Sequence, residues 1–147
     1  MTLGFSSFKE HMQPDPQLVK IDADNDTYYG SGVDMLGYLG VAFFAIALQG
    51  EVQTYGLKIQ QDSASNFATA ADLAGSNVAF ATAADADGFA FVEVKNPRER
   101  YVRPALVVPN VTTPNAVAVF AIRYGKGILP ETNADAELHV YPAEGTA

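Results

Sequence analysis

Val41–Leu48 reads VAFFAIAL and Val52–Gln60 reads VQTYGLKIQ, and these two neighbours decide the fold class. The first is an unbroken apolar run of strand length, rich in aromatic and β-branched residues, and reads as a buried strand. The second alternates, with Tyr55, Leu57 and Ile59 on one face and Gly56, Lys58 and Gln60 on the other. That period of two belongs to a strand with one wet face. Between them, Gln49-Gly50-Glu51 has the composition of a hairpin turn, and Asp62-Ser63-Ala64-Ser65-Asn66 is a second cluster of turn formers.

Outward from this pair the β signals continue. Val78, Phe80 and Thr82 alternate with Ala79, Ala81 and Ala83, whose small face would let a neighbour approach closely. Phe67–Leu73 fits either a short helix capped by Asn66 or a strand. Asp85-Ala86-Asp87-Gly88 reads as a turn. Strands are predicted at Phe89–Lys95, Arg100–Val108 and Ala116–Tyr124, punctuated by Pro97, Pro109 and Pro114, with a weaker last strand at Glu137–Tyr141. About eight short strands separated by turn signals, without βαβ alternation, predict an all-β chain: a single antiparallel β-sandwich, jelly-roll-like.

Residues 1–20 stand apart. Phe5, Phe8, Met12, Leu18 and Val19 follow no period, and Pro14 and Pro16 forbid a helix. The predicted organisation is an extended N-terminal arm over 1–20, a sandwich domain over 21–142 and a flexible tail over 143–147. Two phenylalanines and a methionine suit an arm that orders on a partner, so Phe5, Phe8 and Met12 are candidate partner-binding residues.

Composition narrows the function. The 147 residues are 48% hydrophobic and 11% aromatic, which excludes a disordered chain. No cysteine is present, so disulfides, thiolate metal sites and a cysteine nucleophile are excluded. A net charge of −8 repels phosphates and anionic lipid, so neither a nucleic acid nor a membrane is an expected partner. The apolar stretch Met35–Gly50 is too short to span a bilayer, and Pro104, Pro109 and Pro114 interrupt the longer Pro104–Ile122. The start Met1-Thr2-Leu3-Gly4-Phe5 lacks the basic, then apolar, pattern of a signal peptide.

Chemistry is sparse. His11 and His139 are the only histidines, and no G-x-S-x-G elbow, phosphate loop or H-E-x-x-H occurs. No catalytic residue and no cofactor is expected. The run Asp22-Ala23-Asp24-Asn25-Asp26 has alternate carboxylates, but an EF-hand would need glycine and glutamate where Thr27 and Val33 stand. It reads as a solvated turn, and no metal site is expected. The basic cluster is more telling: Lys95, Arg98, Arg100 and Arg103 face only Glu99 in an acidic chain. Arginine pairs carboxylates with a planar fork, so these four are candidate contacts to sibling subunits or to a larger assembly. On a strand, Arg100 and Arg103 would face opposite ways and serve different surfaces.

Four strings, in order, carry a resemblance: Ile21-Asp22 with Asn25-Asp26; Val33-Asp34-Met35-Leu36-Gly37-Tyr38; Leu57-Lys58-Ile59-Gln60-Gln61-Asp62-Ser63 with Phe67; and Arg98-Glu99-Arg100-Tyr101-Val102-Arg103. Over roughly residues 21–108 the chain resembles small virion structural proteins of tailed bacteriophages, of the capsid cement or decoration type. The resemblance implies a non-enzymatic β-sandwich, a homotrimer on the outer surface of the capsid. There it would bind the major capsid protein and stabilise the head by bridging subunits. The alternatives are another virion component, in the neck, tail or head fibre, and a freestanding ligand-binding sandwich.

Overall fold

The computed structural model of the chain describes residues 12–21, 25–48, 50–83, 85–110 and 115–125. Among them the elements are strands alone: β1 (Met12–Ile21), β2 (Asp26–Tyr29), β3 (Val33–Asp34), β4 (Gly40–Ala47), β5 (Thr54–Asp62), β6 (Ala71–Asp72), β7 (Val78–Ala81), β8 (Gly88–Lys95), β9 (Tyr101–Val108) and β10 (Ala116–Tyr124). Sheet A has the order β1-β10-β4-β8. Sheet B has the order β2-β9-β5-β6, with β3 also on β9 and β7 also on β5. Every pairing is antiparallel. The two sheets pack face to face, as the expected antiparallel β-sandwich.

The core follows from the period of two. Tyr55, Leu57 and Ile59 of β5 and Val102, Leu106 and Val108 of β9 meet Val41, Phe43 and Ala45 of β4 and Val117, Val119 and Ala121 of β10. Burial of this size is the main favourable contribution to the fold, at about 25 cal/mol per Å2 of apolar surface.

Long-range pairing changes several expectations. The connection from β4 to β5 joins two sheets and closes no hairpin: both edges of β4 are taken by β10 and β8, so β5 pairs with β9 instead. A buried polar knot fixes this crossing. Asn115 donates through Nδ2 to the Glu51 carbonyl at 2.8 Å and accepts the Glu51 N–H at 3.1 Å, while the Thr82 hydroxyl also donates to the Glu51 carbonyl at 2.8 Å. The arm does not extend to residue 20, because Met12–Ile21 is β1 and pairs along β10. Pro14 and Pro16 are accommodated there because β1 is an edge strand, where a missing N–H breaks no ladder. A bulge between Pro16 and Leu18 frees Gln17, whose Oε1 accepts the Gly32 N–H at 2.9 Å and ties sheet A to sheet B.

The alanine face of β7 is turned outward, with Ala79 and Ala81 exposed and Phe80 buried, and among the described residues no strand packs on it. The segment at Phe67–Leu73 is neither a helix nor one strand. Phe67 takes a left-handed backbone (φ 52°), turns follow, and only Ala71–Asp72 joins β5. Finally, VAFFAIAL sends only one face into the core, although Ala42 on the other face is buried too. Val41, Phe43, Ala45 and Ala47 enter the core, while Phe44 and Ile46 lie half-buried on the other side.

Candidate functional site

Two regions of the surface carry unusual side chains. The first is the end of the sandwich where three sequence-distant segments meet: residues 33–38, 60–67 and 98–103. Val33 and Asp34 pair with Val102 and Tyr101, and Gln60 and Asp62 pair with Arg103 and Tyr101. The register thus places Asp34, Arg103 and Gln60 together on the outer side of sheet B, and hydrogen bonds to Asp34 bring Arg100 to them.

Arg100 lies just before β9 and grips Asp34 with two bonds, Nε to Oδ1 at 2.9 Å and Nη2 to Oδ2 at 2.6 Å. The guanidinium bond holds the Asp34 carboxyl below its usual range. Arg103 is held differently. Its Nε and Nη2 both donate to Gln60 Oε1, at 3.0 and 2.8 Å, and its plane lies between the rings of Tyr29 (4.2 Å) and Phe67 (4.5 Å). Such stacking favours a weakly hydrated guanidinium over an ammonium. Gly32 makes room for it: a Cβ there would come within 2.5 Å of the Phe67 ring, and its φ of +83° suits glycine. Gln60 Nε2 donates onward to Asp72 at 2.7 Å, and Lys58 closes the chain at 2.9 Å; the Lys58 bond is the largest influence lowering the Asp72 pKa.

Asp62 is buried and organises the loop below. It accepts the N–H groups of Ala64 (3.0 Å) and Thr69 (2.8 Å) and the Thr69 hydroxyl at 3.1 Å; the Ala64 bond is the first cause of its lowered pKa. Around the loop 96–100 lie open hollows of about 420, 410 and 140 Å3. Lys95 and Arg98 are exposed beside them and make no ion pair or hydrogen bond among the described residues. The basic cluster therefore divides: Arg100 and Arg103 are engaged within the fold, and Lys95 and Arg98 are available. Arg100 and Arg103 do not face opposite ways, because Arg100 precedes the strand and bends to Asp34. Phe5 and Phe8 lie outside the described residues, as does the side chain of Met12.

The second region is the outer face of sheet A. Phe120 of β10, Phe44 of β4 and Phe91 of β8 are in register. Their rings form a row, with centroids 5.0 Å apart from Phe120 to Phe44 and 5.0 Å from Phe44 to Phe91; Phe89 lies 6.3 Å from Phe44. Phe89 is 58% and Phe91 45% exposed. At one end of this face the Tyr124 hydroxyl donates to Glu93, and burial, with the Glu93 bond, pushes the tyrosine pKa up to about 12. This face was not foreseen, although the sequence carries its signal. Adjacent Phe43 and Phe44 cannot both face the core of a strand, and Phe89 and Phe91 share their parity with Glu93 and Lys95.

Arg123 was also missed. It grips Asp15 (2.8 and 3.2 Å), donates to the Asp34 carbonyl at 2.9 Å and stacks on Tyr38 at 4.5 Å, so it joins β1, β10 and the end of β3. Among the described residues no three His, Asp or Glu side chains converge as a metal site.

No family model matches the chain, and no curated protein matches it. Among solved structures it is similar in fold to the PBSX exported protein XepA, with a TM-score of 0.61 and 17% identity over 97% of this chain and 47% of that one. The chain thus spans about half the length of that protein.

Proposed function

We propose that the chain is a non-catalytic, phage-related structural protein that works by adhesion, through the outer face of sheet A. The observation that carries this reading is the in-register row of Phe120, Phe44 and Phe91, with Phe89 beside it, in which Phe89 and Phe91 are exposed and Phe44 and Phe120 half-buried. Contiguous exposed aromatic surface marks a site of association. The phage-related setting draws support from the fold shared with XepA, itself a phage-related protein, and from the short strings that resemble virion proteins.

The finer reading is a capsid decoration protein on the outer surface of the head, with the major capsid protein as partner. The size of the face suits that role. Strand spacings of about 4.8 Å and a rise of about 3.3 Å per residue give it roughly 300–400 Å2, well below the ~800 Å2 per side of a stable protein interface. One copy would hold weakly; many copies on a repeating lattice would hold by avidity. The free cations Lys95 and Arg98, at the rim, suit carboxylates on the partner.

The word "exported" in the description of XepA favours a second reading, an adhesive module released outside the particle. Mass spectrometry of purified particles against cleared medium separates the two. The adhesive reading itself is tested with Phe89→Ser/Phe91→Ser, co-sedimented with heads that lack the protein. The variant should fold normally and fail to sediment with heads; undiminished attachment would remove the Phe face from the mechanism.

A further inference from the structure

The two edges of sheet A are treated differently. The β1 edge is blunted by Pro14 and Pro16 and by a bulge, devices that stop one sheet from adding to another. The β8 edge has neither. Its register with β4 runs without a break from Gly88 to Lys95, it contains no proline, and it has no strand on its other side among the described residues. Its outward residues are Phe89, Phe91, Glu93 and Lys95, with Asp87 next in line before the strand.

We propose that β8 pairs antiparallel with β8 of a second copy, about a two-fold axis at Phe91. Charge selects this register. Opposed residues of a two-fold antiparallel pair share a face, so the axis must fall on a residue. An axis at Phe91 sets Phe91 against its own copy and Asp87 against Lys95 twice over. An axis at Glu93 would oppose two glutamates, which is destabilising. Lys95 has no ion pair or hydrogen bond among the described residues; Asp87 already takes part in a contact within its own chain, and its carboxylate would add the second copy's Lys95 to that. Pairing would join two four-stranded sheets into one of eight and merge two Phe faces into a single platform of twice the area. The inference deepens the adhesive reading by naming a second copy as the first partner of that face.

The test uses the full chain in sedimentation equilibrium over a range of concentrations. The wild type should dimerise. Lys95→Asp alone sets aspartate against Asp87, and Asp87→Lys alone sets lysine against Lys95. Each should weaken dimerisation roughly tenfold or more, since both symmetric charge pairs change from attraction to repulsion. Mixing the two single variants in equal amounts should restore association, as a heterodimer in which every pair is again opposite in sign. A lost fold cannot be rescued by mixing, so rescue reports the contact. The proposal is overturned by a wild type that stays monomeric at every concentration, by a dimer indifferent to both substitutions, or by a mixture that does not recover. Amide exchange over 90–95 adds a further check. Alternate amides there are bonded to β4 in any case; if the others, which point away from β4, are already protected in a monomer, another segment of the same chain occupies the edge and the pairing is wrong. Monomers that still attach to heads would end the pairing and leave the adhesive role intact.

Discussion

The loop end of the sandwich and the outer face of sheet A are built on opposite principles. At the loop end the striking side chains are charged, and most of that charge is matched inside the molecule: Arg100 by Asp34, Lys58 by Asp72, and Arg103 by a carbonyl oxygen and two rings. On the outer face the side chains are apolar, and the phenylalanines meet chiefly one another. A cluster of arginines in a sequence is therefore a weak guide to free charge, because a fold can bring acceptors from forty residues away. A run of phenylalanines is an equally weak guide to the core, because a strand has two faces.

The largest expected effect sets these faces against each other within one dipeptide. Phe43 is fully buried in the core and Phe44 is half-buried outside it. Phe43→Ala should cost about 3–5 kcal/mol in urea unfolding, through lost transfer energy and the cavity left behind. Phe44→Ala removes ring contacts but opens no cavity, and should cost about 1 kcal/mol. Equal losses would mean that the outer face is covered and the contrast between the faces is false.

The loop end is probed next by Arg103→Lys. Lysine keeps the charge but cannot deliver two N–H groups to Gln60 Oε1 while lying flat between Tyr29 and Phe67. A loss of about 1–2 kcal/mol is expected from one weakened charge-assisted bond and two weakened ring contacts. Thermal unfolding measures it. Attachment to heads should be unchanged, since Arg103 is engaged inward. A variant that is fully stable yet fails to attach would move the binding site from the Phe face to this end.

How far the sequence discloses these regions depends on the range of the interactions. Local period is enough to place β10 at Ala116–Tyr124 and β8 within a residue of its start. It is not enough to say which sheet a strand joins. Gln49-Gly50-Glu51 has turn chemistry, but turn chemistry cannot show that β4 already has two neighbours, so the hairpin reading failed. Likewise Gln60, Phe67 and Arg103 stand in separate strings, and only the β5–β9 register brings them together. The Phe face was legible in principle: Glu93 and Lys95 mark the outward parity of β8, and Phe89 and Phe91 share it. Average hydrophobicity along the run hid that parity.

Acid should separate the two regions by a smaller margin. Asp34, Asp62 and Asp72 all have pKa values below the ordinary 3.8, owing first to the Arg100, Ala64 and Lys58 bonds respectively. A depressed folded value means that the stabilisation is complete above the unfolded pKa and is lost as pH falls through the folded one. Unfolding midpoints should therefore hold down to about pH 4 and then decline. Asp62→Asn should flatten that decline, whereas Phe91→Ser should leave its shape untouched. A decline identical in all three proteins would place the acid-sensitive contacts elsewhere.

The smallest effect is expected at Arg100, although its geometry with Asp34 is the best-formed ion pair of the loop end. Both side chains are well exposed, at 47% and 37%, so water competes for each charge and salt screens what remains. Arg100→Ala should barely move the thermal midpoint, and that small shift should vanish in high salt. It also bears on the contrast between the regions. If Arg100 only braces β3 against β9, its loss leaves attachment intact, because the Phe face and the free Lys95 and Arg98 are unaltered. If Arg100 instead leaves Asp34 to reach a partner carboxylate, attachment falls while stability does not, and the loop end would have to be counted as part of the adhesive surface.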